Sequence, residues 1–264
     1  MSAASEEAPA RYQQRNQPPG VPPLELTGER TLPDVPEENY WYRRHLAVYE
    51  WIAEHCAGLD VVDLACGEGY GTAVLAGRAR AVVGVDANPE AHEHAAARYA
   101  APGVRFERDL IETFSEPCDA VVFLQTIEHV ADAPAVLGSV RAMLRPGGCA
   151  FVSTPNVLTL APEGAERSGN PWHVREYRAA EYRALCAQVF GDVELFGLFH
   201  AGKLRLHELA IRFGWDAVHA RLRITKPFYD RFTPAISASD FRLRSERDGA
   251  DLDRALDFLA VLGS

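Results

Sequence analysis

The chain has 264 residues, 47% hydrophobic and 24% charged, a globular composition with material for one large core and a small addition. Twenty Gly and 17 Pro exclude a collagen-like or wholly low-complexity chain, and no apolar run approaches the roughly 18 residues that span a bilayer. With 27 basic against 37 acidic residues, net −10, a protein that mainly grips nucleic acid is disfavoured, and so is docking on an anionic membrane surface.

The first residues, Met1 to Glu7, carry neither the basic nor the apolar region of a secretory signal. Residues 1–25 are polar and Pro-rich (Gln17-Pro18-Pro19-Gly20) and read as a flexible arm. A turn-rich stretch at Thr27–Pro33 follows, then a helix from Asn39 to about Cys56, whose apolar stripe includes Trp41, Leu46, Tyr49 and Ile52. From Asp60 the pattern becomes short apolar runs alternating with helical segments. Strands are expected at Val61–Ala65, Ala81–Asp86, Val104–Glu107, Ala120–Leu124 and Cys149–Ser153. Helices are expected from the Gly-rich turn to about Ala76, at Pro89–Tyr99, at about Pro134–Leu144 and at about Ala179–Phe190. This alternation, with strands apolar on both faces, predicts an α/β fold with a parallel sheet covered by helices on both sides. Val193–Phe196 reads as a sixth strand and Phe258–Leu262 as a last one. The intervening residues are too many for a hairpin loop, so 199–250 is expected to be a helical cap inserted over the site. The main domain is then 26–198 with 251–264. Five scattered cysteines (Cys56, Cys66, Cys118, Cys149, Cys186) show no paired spacing, which argues against disulfide or zinc frameworks and for a reducing cytoplasm.

The informative turn is Asp63-Leu64-Ala65-Cys66-Gly67-Glu68-Gly69-Tyr70-Gly71, directly after the first strand and opening a helix. Glycines there let the backbone turn tightly and approach a ligand. Asp86 ends the second strand, where an acid can accept from both ribose hydroxyls of an adenosine. Asp109 follows the third, where it could face an adenine amine. The spacing is Gly-x-Gly-x-Gly with Glu68 inside, which repels a pyrophosphate but tolerates a cationic sulfonium. Asp63 is compatible with an aminoacyl group. No P-loop pattern exists.

These segments, with Gln125-Thr126-Ile127-Glu128-His129, Leu144–Gly148 and Ser153-Thr154-Pro155-Asn156, resemble the class I S-adenosylmethionine-dependent methyltransferases. The resemblance implies a Rossmann-like, mostly parallel seven-stranded sheet whose last strand is antiparallel and inserted beside the fifth. It implies S-adenosylmethionine as cofactor. Gly67 and Gly69 would line its methionine part with Gln125 on the same side, Asp86 its ribose, Asp109 and Leu110 its adenine, and Ala65 and Ala87 would complete the contact surface.

Methyl transfer to a hydroxyl needs an aligned acceptor and a group to take its proton. Candidates should follow the fourth and fifth strands, because ligands bind outside the carboxyl ends of strands. Glu128 and His129 follow the fourth, and His173 in Asn170-Pro171-Trp172-His173-Val174-Arg175-Glu176 follows the fifth. Glu128-His129 resembles the pair of ubiquinone-pathway and small-RNA 2′-O-methyltransferases, where Glu-x-x-Glu-His and a later His accompany a divalent metal. Here Gln125 replaces the first acid, so Glu128, His129 and His173 are a reduced candidate set for Mg, Mn or Zn. Either histidine could instead be a general base, or a locally packed residue. Glu176 could orient a histidine or be solvated, and Tyr40, Trp41 and Trp172 could stack on a sugar or serve as core. Thr27-Gly28-Glu29-Arg30, Ser153–Asn156 and Asn170–Glu176 together are similar to methyltransferases of glycan synthesis, closest to actinobacterial enzymes proposed to O-methylate methylglucose lipopolysaccharides. The resemblance implies a small-molecule or glycan acceptor. A phenol, an RNA 2′-hydroxyl, or cofactor binding without catalysis are the other readings.

Overall fold

The computed structural model describes residues 13–27, 30–162 and 164–263. One eight-stranded sheet organises them. Its order is β3 (Val104–Glu107), β2 (Ala81–Val85), β1 (Asp60–Leu64), β4 (Cys118–Phe123), β5 (Leu144–Pro155), β8 (Asp257–Gly263), β6 (Asp192–His200), β7 (Phe241–Ser245). The first five in that order are parallel. β8 enters antiparallel between β5 and β6, and β7 pairs antiparallel on the outer side of β6. The inserted antiparallel last strand is thus present, but the sheet has eight strands where seven were expected. The additional strand carries a period-two pattern, Phe241-Arg242-Leu243-Arg244, half apolar as an edge strand should be.

The sheet divides two cores. Val62 and Leu64 of β1 point to one side with Val121, Phe123 and Val152, under α4 (Ala133–Met143) and α6 (Ala179–Ala187). Val61, Val122 and Phe151 point to the other, under α1 (Asn39–His55) and α2 (Tyr70–Ala76). Alternation along each strand therefore buries both faces, which explains why the strand segments are apolar throughout. Fully buried Ile52, Leu75 and Leu137 each contribute about 1.5–3 kcal/mol by leaving water. Helix starts are set locally. Asn88 accepts from the Ala91 N–H at 3.0 Å ahead of α3 (Pro89–Tyr99), and Asp132 accepts from the Ala135 N–H at 3.0 Å ahead of α4; each helix has Pro in its first turn.

Two expectations about organisation change. The arm expected over 1–25 falls partly outside the described residues, at 1–12, as do Gly28 and Glu29 of the turn-rich stretch. Residues 13–25, however, pack on the domain. Gln13 bridges Glu25, Leu24 joins Leu32 and Val35 in a small buried cluster, and Gln14 is buried against Glu68. The second is 199–250, which holds α7 (Gly202–Arg212), α8 (Trp215–Arg221) and α9 (Thr225–Phe232) before β7 joins the sheet. Among the described residues, the lining of the large cavity includes none from this segment. The wall expected from it is built by the N-terminal segment and α1. A four-residue helix, α5 (Val157–Leu160), follows β5. The five cysteines are unpaired thiols, and among the described residues no helix is long and apolar enough to cross a membrane.

Candidate active site

A cavity of about 720 Å³ opens at the carboxyl ends of β1, β2, β4 and β5. The turn after β1 forms one wall. Ala65 and Gly67 both adopt left-handed backbone, φ 54° and 57°, and Gly69 caps α2 at φ 96°. A Cβ on Gly69 would lie 2.8 Å from the Ala95 methyl, and one on Gly71 only 2.1 Å from the Tyr49 ring, so packing demands glycine at both places. The Gly67 N–H donates to Asp86 Oδ2 at 2.8 Å, and the Asn88 N–H to Asp86 Oδ1 at 2.9 Å. The acid at the end of β2 thereby fixes the turn while remaining on the cavity wall.

The other two acids of the turn serve the scaffold. Asp63 is fully buried behind the turn, accepting from Tyr49 at 3.1 Å and Thr72 at 2.7 Å. Burial pushes its carboxyl up to about 7, against the pull of those two hydroxyls. Glu68, expected as a carboxylate that tolerates a sulfonium nearby, does line the cavity. Its oxygens take bonds from Gln14, His94, Arg98, Tyr99 and the Tyr70 N–H. A carboxylate so well paired is already neutralised by Arg98.

The opposite wall follows β4. Gln125 has φ 51°, a conformation uncommon for a side-chain-bearing residue, held by its N–H and amide on Ser153 Oγ at 3.1 and 3.0 Å. A single 3-10 turn, Ile127–His129, comes next. The Glu128 carbonyl accepts from the Val174 and Arg175 N–H groups, which draws residues 170–176 across and stands the His129 and His173 rings 5.0 Å apart, nearly perpendicular. His129 Nδ1 lies 2.9 Å from the Trp172 carbonyl, an acceptor only, so this nitrogen carries the proton and Nε2 the lone pair. His173 Nδ1 lies 2.6 Å from Glu176, whose carboxylate is in turn held by Ser168. Burial alone would raise Glu176, but Ser168 and His173 together bring it below the usual carboxylate range. The Asn170 oxygen accepts from the Trp172 N–H, so its amide donates to His173 Nε2 at 3.0 Å. Glu128 is buried, with Oε2 lacking a hydrogen-bond partner among the described residues; burial pushes it up to about 8.

One possible ligand atom from each of Glu128, His129 and His173 lies within 4.8 Å of the others. The donor set nevertheless does not suit a resident metal. The Asn170 amide occupies His173 Nε2, the atom left for a metal once Nδ1 is bonded to Glu176, and the remaining one carboxylate plus one imidazole falls short of the three protein ligands of a catalytic zinc and of the oxygen-rich shell of magnesium.

Ala65, Gly67, Asp86, Ala87, Gln125, Glu128, His129 and His173 all line the cavity. Asp63, Gly69, Asp109 and Leu110 do not. Asp109 is half-buried and accepts from the Leu110 N–H and the Thr113 hydroxyl, and Leu110 is exposed. Tyr40 leaves the site as well, bonding His200 at 2.8 Å and packing on Phe241 of β7. The Cys66 thiol lines the cavity, and burial pushes it well above its ordinary range, as suits a filler rather than a nucleophile.

Several lining residues had no sequence signal. Thr31 bonds both Tyr70 and His45, and burial holds the His45 imidazole down at about 4. Arg44 and Asp257 form a buried two-bond ion pair at 2.6 and 2.5 Å, joining α1 to β8 across 213 residues. Glu38, likewise without a signal, joins Arg30 and the two indoles named from the sequence, Trp41 and Trp172, in the outer part of the cavity, both indoles exposed at its rim.

Residues 37–208 match a family described as a methyltransferase domain. The chain is 38% identical over 248 residues to a probable S-adenosylmethionine-dependent methyltransferase of Mycolicibacterium smegmatis, covering 90% of this chain and 94% of that one. It is 34% identical over 128 residues to a ubiquinone biosynthesis O-methyltransferase of Pseudomonas syringae, covering 44% of this chain and 55% of that one. Among solved structures, a methyltransferase of Thermotoga maritima, described as a possible histamine N-methyltransferase, superposes with a TM-score of 0.55 at 15% identity, covering 86% of this chain and 94% of that one, which is likeness of fold.

Proposed function

The chain belongs to the S-adenosylmethionine-dependent methyltransferases, and from that premise we propose that it methylates a hydroxyl group of a sugar or polysaccharide in the cytoplasm. The observation that carries this reading is the His129 imidazole on the cavity wall, anchored through Nδ1 to a carbonyl and with Nε2 3.9 Å from Glu128 Oε1, where an acceptor hydroxyl would meet a histidine–carboxyl pair. The donor takes the wall made by Ala65, Gly67, Asp86, Ala87 and Gln125. Asp86 accepts from its ribose hydroxyls, and the adenine extends from that wall toward Asp109 and Leu110. Gly69 and Asp63 act from behind, by shaping the turn.

The acceptor occupies the outer part of the cavity. Its hydroxyl oxygen attacks the sulfonium methyl carbon, the carbon–sulfur bond breaks, the sulfur leaves as a neutral thioether, and the hydroxyl proton passes to His129 Nε2. Glu128, whose carboxyl burial pushes up to about 8, stands beside the base with Oε1 3.9 Å from His129 Nε2 and helps to orient it. His173, fixed by Glu176 and Asn170, positions Trp172 and the His129 ring. No step is assigned to a metal. Two indoles at the rim with Arg30, Glu38 and Asn170 beside them suit a pyranose, whose C–H face stacks while its hydroxyls pair with planar polar groups.

A phenolic acceptor is the second reading, favoured by the Glu128-His129 pair and the partial similarity to ubiquinone biosynthesis O-methyltransferases. The net charge of −10 opposes an RNA acceptor. Turnover assays that follow S-adenosylhomocysteine release with glucosides, catechols and short RNA decide among them. Release with glucosides is expected; release with catechols alone overturns the sugar.

A further inference from the structure

The segment 202–232 departs from the rest of the molecule in two ways. Six of the eleven large apolar side chains exposed among the described residues lie on it: Leu206, Leu209, Phe213, Val218, Leu222 and Ile224, with Phe213 84% exposed. It also carries seven basic against three acidic residues, in a chain whose net charge is −10. On α7, Leu204 faces inward and is buried in the core, while Leu206, Leu209 and Phe213, spaced i, i+3, i+7, form a stripe on the outward side. Arg205 and Arg212 are exposed beside that stripe, and Arg221, Arg223 and Arg231 are exposed on the elements that follow. An outer helix face that is apolar and edged by arginines is the pattern of a helix lying in a headgroup layer.

We propose that α7–α8 dock the protein on an anionic lipid bilayer surface, inserting Leu206, Leu209, Phe213 and Leu222 among the headgroups while the arginines pair with lipid phosphates. Charge selects this occupant. A second copy meeting the same face would set like charges against each other, whereas anionic headgroups complement them. The overall negative charge predicted avoidance of such surfaces, but attraction is set within a Debye length of the contact and not by the molecular total. Topology gives the docking a consequence. β5 and β6 are both antiparallel to β8 and so run in the same direction, and α7 begins where β6 ends. The docking helices therefore leave the same edge of the sheet onto which the cavity opens.

The experiment is co-sedimentation of the full chain with vesicles of phosphatidylcholine alone or mixed equally with phosphatidylglycerol. Partitioning onto the mixed vesicles is expected to exceed that onto phosphatidylcholine by about tenfold or more and to fall as salt rises. The pair Leu206→Asp and Phe213→Asp is expected to lower partitioning by about tenfold or more without moving the melting temperature, because both side chains are exposed in the free protein. Arg205→Gln with Arg212→Gln removes the lipid preference while leaving the apolar stripe, and serves should the first pair fail to fold. No binding by the parent, equal binding to both vesicles, or parent-like binding by the folded variants overturns the proposal. So does a dimer in sedimentation velocity that Phe213→Asp dissociates, which would make the face a contact between copies.

Discussion

Gly67 donates its backbone N–H to the Asp86 carboxylate at 2.8 Å, tying the turn after β1 to the end of β2. The parallel register that sets Leu64 beside Val85 brings the two together. One group then has two tasks: it holds the turn open in a left-handed conformation and, in the proposed site, meets the donor's ribose. Carboxylate oxygens have lone pairs enough for both.

Asp86→Ala should therefore weaken S-adenosylhomocysteine by roughly 150-fold or more, since two hydrogen bonds to a charged acceptor are lost at about 1.5 kcal/mol each or more. Isothermal titration reads the affinity, and thermal melting reads the loss of the turn's anchor separately. Undiminished affinity in a folded Asp86→Ala protein would remove the acid from the donor site.

The two histidines should separate. His129→Ala is expected to lower turnover by about 100-fold or more with little change in S-adenosylhomocysteine affinity. It should also abolish the acidic limb of the rate–pH profile, because that limb reports protonation of the base. His173→Ala should lower turnover less and keep the limb, as a positioning residue does. A preserved limb in His129→Ala and a lost one in His173→Ala would reverse the assignment.

Much of this architecture is legible in the sequence because it is local. The strand runs, the glycine turn and the acid ending β2 are each contiguous, and parallel pairing follows from the helices between them. What was missed depends on distant pairing. Arg44 and Asp257 lie 213 residues apart, and neither has a neighbour that marks it. Glu68 sits in a cofactor-like turn at the cavity wall, yet its partners Gln14, His94 and Arg98 come from two other segments and take up its carboxylate oxygens. The β7 strand was hidden by its short alternation within a helical, basic stretch.

The engaged nitrogens of His173 make a second claim testable. Stripping the protein with a chelator should leave turnover unchanged, and adding Mg, Mn or Zn ions should not raise the melting temperature. A ligand at 100 times its Kd stabilises by about 2.7 kcal/mol, a shift easily seen by calorimetry. A shift of that size that vanishes in Glu128→Gln would restore the three-residue metal centre.

Asp63 gives the stability a pH signature. Its folded value of about 7 lies above its ordinary 3.8, so between these limits the folded state holds a proton that the unfolded chain has released. This contribution therefore falls as pH rises from about 4 to about 7 and is constant above, with a total of a few kcal/mol. Asp63→Asn cannot titrate; its amide oxygen accepts from one of the two hydroxyls, Tyr49 or Thr72, and its NH2 donates to the other. Its melting temperature relative to the parent should climb across that window and level off beyond it. A difference that is flat with pH would show that Asp63 ionises normally inside the fold.

Glu68 decides whether the N-terminal segment stays on the domain. Its carboxylate gathers Gln14 from that segment with His94, Arg98 and Tyr99 of α3, and Arg98 also reaches Asp34 at 2.9 Å. Arg30 and Thr31 of the same segment form part of the cavity wall. Glu68→Ala leaves Arg98 partly buried without one of its two acidic partners and strands Gln14 and His94, so a loss of about 3 kcal/mol or more in unfolding free energy is expected. Glu68→Gln keeps an acceptor but not the charge and should fall between parent and alanine. In Glu68→Ala, limited proteolysis should cut within residues 13–35 much faster than in the parent, and S-adenosylhomocysteine affinity should drop because the wall is loosened. Parent-like protection of that segment in Glu68→Ala would mean that Leu24, Leu32 and Val35 hold it by burial alone, and the carboxylate would then need another reason for standing in the turn.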